Sequence, residues 1–205
     1  MAVTDITKIH IGQGEVWFGG TAPAAGGDPN DPTTSSVNAM TTNFAAPVSG
    51  GAYVGFTNGP ATLLYKPTFY NVETEQAFAT VLVTPTAEEA SLEFTMEEQS
   101  YTNLALGMSQ ATTSVVVGPP QRNNIFVGSK ATMTFRVLTL LSRKRTGTGY
   151  YILTMYQTYS MDGATLNFER RKETQNKVVM HCLADLTRPT GDQLFQLAEY
   201  AANPA

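Results

Sequence analysis

Alternation of apolar and polar residues is the main pattern of this chain, and it predicts a protein built mostly of β-strands. The clearest case is 88–97, where Ala90, Leu92, Phe94 and Met96 alternate with polar residues. A period of two is typical of a strand with one buried face. Glycines and prolines separate similar segments, as in all-β proteins. The other predicted strands are 9–19 (one or two strands, interrupted at Gly12 and Gly14), 53–57, 61–66, 68–75, 78–84, 124–128, 131–141, 150–160, 163–170 and 176–184.

Two segments depart from this alternation and favour short helices. Residues 99–108 are rich in helix formers, with Ser100 as a possible N-cap and Gly107 as a possible stop. Towards the C-terminus, Thr190-Gly191-Asp192-Gln193 has the form of a capping box. The apolar residues that follow it at helical spacing are Leu194, Leu197, Ala198 and Ala201. We therefore expect one or two short helices, the second lying in a C-terminal tail at 186–205.

The segment 20–51 has neither periodicity. It consists mainly of Gly, Ala, Pro, Thr, Ser and Asn, and Met40 and Phe44 are among its few large apolar residues. Loops longer than about 12–15 residues are uncommon in compact domains, and they are usually either functional or disordered. We interpret this segment as a long extended arm within one domain, 1–205. The predicted fold is a mainly β sandwich or barrel with one or two short helices.

Composition narrows the functional classes. A formal net charge of -4 argues against coating nucleic acid, because that affinity comes from Lys and Arg neutralising phosphates. Cys182 is the only cysteine, so no internal disulfide framework is expected. No stretch reaches the roughly 18 apolar residues of a membrane span, and we expect no membrane anchor. These features favour a protein made in the cytoplasm.

Candidate catalytic residues are scarce. His10 and His181 are the only histidines, and His181 adjoins Cys182 in a predicted strand, where neighbouring side chains point to opposite faces. The pair therefore cannot act as a nucleophile and its base. One cysteine and two histidines also fall short of the four ligands of a structural zinc site. We expect no catalytic, cofactor-binding or metal-binding residues, and no enzymatic activity.

Charged residues are grouped in a way that suggests contacts between subunits. Two basic clusters lie at predicted strand connections: Arg143, Lys144 and Arg145, and Arg170, Arg171 and Lys172. They fit solvated hairpin ends, and they also fit a surface that pairs with the acidic face of a neighbouring copy. The acidic candidates are Glu73, Glu75, Glu89, Glu93 and Glu97.

The order of segments between 53 and 108 resembles the major tail tube proteins of long-tailed bacteriophages. The similar parts are a glycine-bearing turn at Gly55-Phe56-Thr57-Asn58-Gly59, the element Val72-Glu73-Thr74-Glu75-Gln76, the acidic strand 88–97 and the helix at 99–108. The ending is also similar to that family, through Ala184, Asp185, Arg188, Pro189, Gly191 and Asp192. Together these motifs cover roughly half of the chain.

The resemblance implies a structural virion protein of the phage tail, assembled in the host cytoplasm. Such proteins form hexameric rings that stack into a tube around the tape measure protein, between the tail terminator and the tail tip. Double-stranded DNA passes through the tube without specific binding. The five acidic candidates are then expected to face the lumen, where they would repel phosphates, although an ordinary solvated strand face explains them equally well. The two basic clusters, Met40 and Phe44 are expected at contacts between subunits.

A second interpretation is a different phage interaction protein, either a capsid decoration protein or a carbohydrate-binding module of the tail tip. Sugar binding would need exposed aromatic side chains on one concave face. The candidates are Tyr150, Tyr151, Tyr156 and Tyr159. Aromatic residues in strands are more often core residues or cross-strand pairs, by roughly three to one.

Overall fold

The computed structural model describes residues 8–11, 14–27, 51–73, 80–96, 100–108, 111–128, 133–143, 149–161 and 176–200. Among these residues every strand pairing is antiparallel. The elements in chain order are β1 (Lys8–Ile11), β2 (Gly14–Gly19), β3 (Gly51–Phe56), β4 (Ala61–Glu73), β5 (Thr80–Met96), α1 (Tyr101–Gly107), β6 (Ala111–Val116), β7 (Arg122–Val127), β8 (Arg136–Arg143), β9 (Tyr150–Tyr159), β10 (Asn176–Cys182) and β11 (Phe195–Tyr200).

Nine of the described strands form one sheet, which divides into two parts at β9. One edge of β9 pairs with β8. The other edge pairs first with β11, along Tyr150–Met155, and then with β10 at Thr158 and Tyr159. One part therefore has the order β1-β4-β5-β10, and the other consists of β11, β9, β8, β2 and β3. The two remaining strands, β6 and β7, form a separate hairpin.

The two parts pack face to face around one apolar layer. The first part contributes, among others, Leu63, Leu92 and Met180, and the second contributes Val16, Leu140 and Met155. The ring of Tyr65 on β4 meets that of Phe195 on β11 with centroids 5.9 Å apart. The chain is thus mainly β and sandwich-like, as the alternation predicts.

Thr57 closes the sandwich at a corner where three strands end. Its Oγ1 accepts a hydrogen bond from the N–H of Gly14 at 3.0 Å and donates one to the carbonyl of Gly59. Its backbone bridges to Met96 at the end of β5. A Cβ on Gly14 would lie 2.5 Å from the carbonyl oxygen of Leu141, so this close approach requires glycine. The glycine-bearing turn seen in the sequence therefore has a structural role.

Several predictions from the sequence are confirmed. The segment 9–19 forms two strands, and the segments near 53–57, 124–128, 131–141, 150–160 and 176–184 each contain one. Helix α1 is capped by Ser100, whose Oγ accepts a hydrogen bond from the N–H of Asn103 at 3.1 Å. The predicted strand at 163–170 lies outside the described residues.

The predicted breaks at Pro67 and Pro85 are wrong, because β4 and β5 run through them. The register shifts by one residue where Thr68 faces Ala87 and Phe69 faces Pro85, which leaves Thr86 as an extra residue. Proline lacks an N–H and is tolerated at bulges, where the ladder of hydrogen bonds is already interrupted. The result is one long hairpin in place of four short strands.

The predicted C-terminal helix is also wrong, since residues 195–200 form β11 instead. The edge of β9 between Tyr150 and Met155 offers unpaired backbone groups, and pairing with them outweighs a weak helical pattern. The proposed capping box forms a turn in which the N–H of Asp192 bonds to the carbonyl of Pro189 at 3.0 Å. Gly191 has φ +92°, as the third position of a type II turn requires.

Leu92 and Leu82 test where on β5 the core ends. Leu92 is fully buried and Leu82 is 57% exposed. We expect Leu92→Ala to lower the free energy of unfolding by about 2–5 kcal/mol, because it removes buried methyl groups and leaves a cavity. The matched change Leu82→Ala should cost less than about 1 kcal/mol. Urea unfolding of the two variants measures both values, and equal losses would contradict this boundary of the core.

Candidate assembly surfaces

The β4–β5 hairpin is longer than the apolar layer it helps to build. β4 has 13 residues and β5 has 17. Their core residues lie between Ala61 and Tyr65 on β4 and between Ala90 and Met96 on β5. We call the remaining part, residues 66–73 and 80–89, the ribbon.

The ribbon exposes large apolar side chains on both of its faces. Phe69 and Val83 lie on the face that continues the core, and they are 54% and 52% exposed. Tyr70 and Leu82 lie on the other face and are 63% and 57% exposed. A two-stranded ribbon without a packed face is marginally stable in water at best. Apolar groups clustered in this way are typical of a surface that binds another protein.

A cleft of about 540 Å³ lies at the base of the ribbon, between it and the loop that precedes β11. Its walls include Tyr65, Pro85, Leu194 and Phe195, together with Glu88. The hydroxyl of Tyr65 donates a hydrogen bond to Oε1 of Glu88 at 2.8 Å. This bond is the main reason that the pKa of Tyr65 is raised. The cleft therefore joins the end of the core to the apolar face of the ribbon.

The β6–β7 hairpin, residues 111–127, is a second exposed apolar element. Val115, Val117, Phe126 and Val127 on this hairpin are all highly exposed. It forms its own two-stranded sheet, and helix α1 is the element in contact with it. Its turn contains a cis peptide bond between Pro119 and Pro120. The sequence interpretation missed β6, because its Thr, Ser and Val residues show no clean alternation.

Of the five acidic candidates for the lumen, the structure describes the side chains of two. Glu89 and Glu93 are exposed on the outer face of β5, as predicted from the alternation. Nζ of Lys177 on β10 lies 2.9 Å from Oε1 of Glu93, and Lys66 stands opposite Glu89 in the register. The described part of this face therefore carries lysines beside its carboxylates. Glu73 is the last residue of β4, and Glu75 and Glu97 lie outside the described residues.

Most of the predicted contact residues between subunits also lie outside the described residues. Arg143 ends β8, with Tyr150 as its partner in the register. The others, Lys144, Arg145, Arg170, Arg171, Lys172, Met40 and Phe44, fall in segments that the structure does not describe. Their proposed role stays a prediction.

The ending that resembles the tail tube family forms a polar network around Arg188. The guanidinium of Arg188 lies 3.7 Å from the centroid of the Tyr156 ring. Its Nη2 is 2.8 Å from Oδ2 of Asp192, and its Nε donates to the carbonyl of Asp192 at 2.9 Å. The hydroxyl of Tyr156 donates to Oδ1 of Asp192. Two neighbouring side chains of the C-terminal loop and a tyrosine of the distant strand β9 thus satisfy one another in a largely buried place.

This network also holds the start of the predicted arm against the body. Nη1 of Arg188 donates to the carbonyl of Pro23 at 2.7 Å. The N–H of Gly26 bonds to Asp192, and Nε2 of Gln196 donates to the carbonyl of Gly27 at 2.9 Å. Residues 20–27 of the proposed arm are therefore fixed through their main chain, and residues 28–50 lie outside the described residues.

The pKa values in this region follow from burial and from these bonds. Burial raises the pKa of Tyr156, and its bond to Asp192 raises it further. Burial alone would raise the pKa of Asp192, but the bonds from Tyr156 and Arg188 and the charge of Arg188 outweigh it and lower that pKa. Burial raises the pKa of the Cys182 thiol to about 11, and its Sγ donates to the carbonyl of Leu194 at 2.9 Å. Cys182 therefore stays a thiol at neutral pH, and the thiol is a poor nucleophile.

Two of the four aromatic candidates for sugar binding, Tyr150, Tyr151, Tyr156 and Tyr159, are buried. Tyr150 and Tyr156 are buried, and Tyr150 stacks on Tyr200 with centroids 4.7 Å apart. The ring of Tyr159 packs edge-on against Phe135 at 6.0 Å. Two of the four tyrosines are therefore not available to stack on a ligand.

In the residues described, no group of three or more His, Cys, Asp or Glu side chains is placed to hold a metal ion. The described part of the chain also contains no helix that is long and apolar enough to cross a membrane. The chain matches no model of a known protein family, and no curated protein matches it in sequence.

Arg188 should be important for stability, because its side chain is only 8% exposed and bonds to both Asp192 and Pro23. We expect Arg188→Ala to lower the free energy of unfolding by about 2–4 kcal/mol. Arg188→Lys should recover less than half of that loss, since an ammonium group cannot reproduce the planar set of donors. The exposed Arg122 supplies the control, and Arg122→Ala should cost less than about 0.5 kcal/mol. Urea unfolding that gave equal losses at the two positions would contradict this role.

The lowered pKa of Asp192 predicts a pH dependence of stability. Its ionised form stabilises the fold at pH values above the ordinary value of 3.8, and this contribution is lost as the pH falls through the lower folded pKa. We compare wild type with Asp192→Asn by thermal unfolding between about pH 7 and pH 3. The advantage of the wild type should be constant near neutrality and should shrink below pH 3.8. An advantage that grew on acidification would contradict the assignment.

Proposed function

We propose that this chain is a structural subunit that assembles with copies of itself, and that it is the major tail tube protein of a long-tailed bacteriophage. The observation that carries self-assembly is the ribbon, which extends beyond the core and exposes Phe69, Tyr70, Leu82 and Val83. Burying these side chains against another subunit would stabilise both partners, at about 25 cal/mol for each Å² of apolar surface removed from water.

The identity of the assembly rests on the resemblance of the sequence to tail tube proteins. The family's motifs occupy structural positions in this fold: Thr57 closes the sandwich, and Arg188 and Asp192 fasten the C-terminal loop. In this proposal six copies form a ring, and the rings stack around a tape measure protein between the tail terminator and the tail tip. The protein is a component of the virion, assembled in the host cytoplasm, and it acts without catalysis or a cofactor.

DNA passage in this proposal depends on a lumen that does not bind phosphate. Glu89 and Glu93 lie on an exposed sheet face and are candidates to line it. Because Lys66 and Lys177 lie beside them, this face would present a nearly balanced surface to DNA. Double-stranded DNA would then slide past it without the phosphate contacts that hold nucleic-acid-binding proteins in place.

Electron microscopy of the purified full chain, by negative staining, tests the proposal. Rings or tubes are the expected result. A monomer or trimer that never polymerises would overturn the proposal and favour a capsid decoration protein.

A matched pair of ribbon variants shows whether the ribbon causes this assembly. We expect Phe69→Ser combined with Val83→Ser to raise the concentration needed for assembly by about tenfold or more, which corresponds to roughly 1.4 kcal/mol. The folded subunit should keep its circular dichroism spectrum, because both side chains lie outside the core. The control, Thr68→Ser combined with Thr84→Ser, changes polar positions of the same ribbon and should assemble as the wild type does. Normal assembly of the first variant would contradict a role for the ribbon.

A further inference from the structure

One face of the ribbon continues the core, and its described side chains become exposed towards the far end of the ribbon. Along β4 and β5 the residues of this face change from buried Leu63, through half-buried Tyr65, to exposed Phe69 and Val83. The cleft at the base of the ribbon lies on the same face, and Pro85 belongs to both. We call Tyr65, Phe69, Val83 and Pro85, with the cleft between them and Phe195, the apolar strip. It resembles one side of a core, with its large apolar side chains exposed instead of covered.

The Phe126 face of the β6–β7 hairpin combines apolar Val116 and Phe126 with polar Thr112, Ser114, Asn124 and Arg122. In its register Thr112 faces Phe126 and Val116 faces Arg122, so Val116, Phe126 and Arg122 share one face. On that face Phe126 is 58% exposed. The hairpin contacts helix α1 at its base, and neither of its own faces contains a packed core.

We propose that the Phe126 face of this hairpin in one copy packs onto the apolar strip of the next copy. The inference rests on the proposed self-assembly and names the two surfaces that meet. They are different parts of the chain, so the contact is heterologous and repeats head to tail. Such a contact gives a ring where the rotation closes and a filament where it does not.

Size and charge both favour this pairing. Each strand of the hairpin has 6 residues, and so spans about 20 Å, which is no longer than the ribbon strand from Lys66 to Glu73. Arg122 is the one charged residue in the sequence of the hairpin, whereas the ribbon carries Glu73, Glu88 and Glu89 against Lys66. Glu88 lies in the wall of the cleft, where a guanidinium from the neighbouring copy would find a carboxylate. Opposite charges at the edge of an apolar contact set its register.

Cysteine cross-linking between two tagged copies of the full chain tests the contact. Both copies carry Cys182→Ala to remove the native thiol; one also carries Val83→Cys, and the other carries Phe126→Cys. After co-assembly, a short bismaleimide should join the two kinds of chain to each other. When the two kinds of chain assemble at random, about a quarter of the heterologous contacts place the thiol at position 83 of one kind beside the thiol at position 126 of the other. Cross-linked dimers of two different chains should therefore be several-fold more abundant than cross-linked dimers of two identical chains. Each single variant assembled alone should give no dimer.

Two matched controls use the opposite faces of the same elements. Thr113→Cys lies on the other face of the hairpin, and Tyr70→Cys lies on the other face of the ribbon. Thr113→Cys should not cross-link to Val83→Cys above background, and Tyr70→Cys should not cross-link to Phe126→Cys above background. Rings or tubes that cross-link through Val83→Cys alone, or through Thr113→Cys instead of Phe126→Cys, would overturn this pairing and leave self-assembly standing. If microscopy shows no rings or tubes of the parent chain, the proposed function fails first, and the pairing fails with it.

Discussion

The mismatch in length between the apolar layer and the strands that build it is the constraint on which the surface of this protein depends. β4 and β5 contribute to the core over only part of their length, where the second half of the sheet lies opposite them. Beyond Tyr65 and Glu88 the same two strands continue, and the side chains that the structure describes there are mostly exposed. Because backbone pairing persists while side-chain burial stops, the ribbon keeps its conformation and exposes its apolar residues. One hairpin thus supplies both part of the core and a projecting surface with exposed apolar side chains.

The sandwich tolerates the projecting ribbon because the two parts of its sheet are held together at specific points. At one corner Thr57 connects the ends of β2, β3 and β5 through main-chain and side-chain bonds. At the other corner β9 divides one edge between β10 and β11. The Arg188 network fastens the loop before β11 to β9 and to residues 20–27. Each of these contacts joins segments distant in the sequence, so they restrain the sandwich where the hairpins and the arm leave it.

Local patterns in the sequence predicted the parts of this fold that depend on local physics. Alternation identified the strands around Leu92 and Leu153, and the Ser100 cap identified the helix. The errors arose where a distant partner decides the structure. Leu194, Leu197 and Ala198 have helical spacing, but the free edge of β9 draws the segment into the sheet. Pro67 and Pro85 read as breaks, although the strands continue through them beside a bulge at Thr86 on β5.

The candidate assembly surface was less predictable than the fold, for a related reason. Phe69 and Val83 look like ordinary strand residues, and only the extent of the opposing layer shows that they are exposed. The network of Tyr156, Arg188 and Asp192 could likewise not be predicted from the sequence. Arg188 and Asp192 belong to the C-terminal motif, but Tyr156 lies on the distant strand β9. Charges were visible along single strands, but the lysines that offset Glu89 and Glu93 belong to neighbouring strands.

These neighbouring charges change what the acidic strand contributes to a tube. A strand of carboxylates alone would repel DNA, whereas lysines beside the carboxylates lower the net charge of the face, and salt screens the remaining field over about 8 Å. A channel lined in this way would oppose DNA entry less, and it would bind DNA only weakly, because Lys66 and Lys177 each lie beside a carboxylate. In the proposed tube the attraction between subunits would come from the apolar hairpins, and the charged face would add little adhesion to DNA. In the proposed tube the apolar strip would lie on one face of β4 and β5, and Glu89 and Lys66 on the other, because side chains alternate along a strand; Tyr70 and Leu82 share that second face.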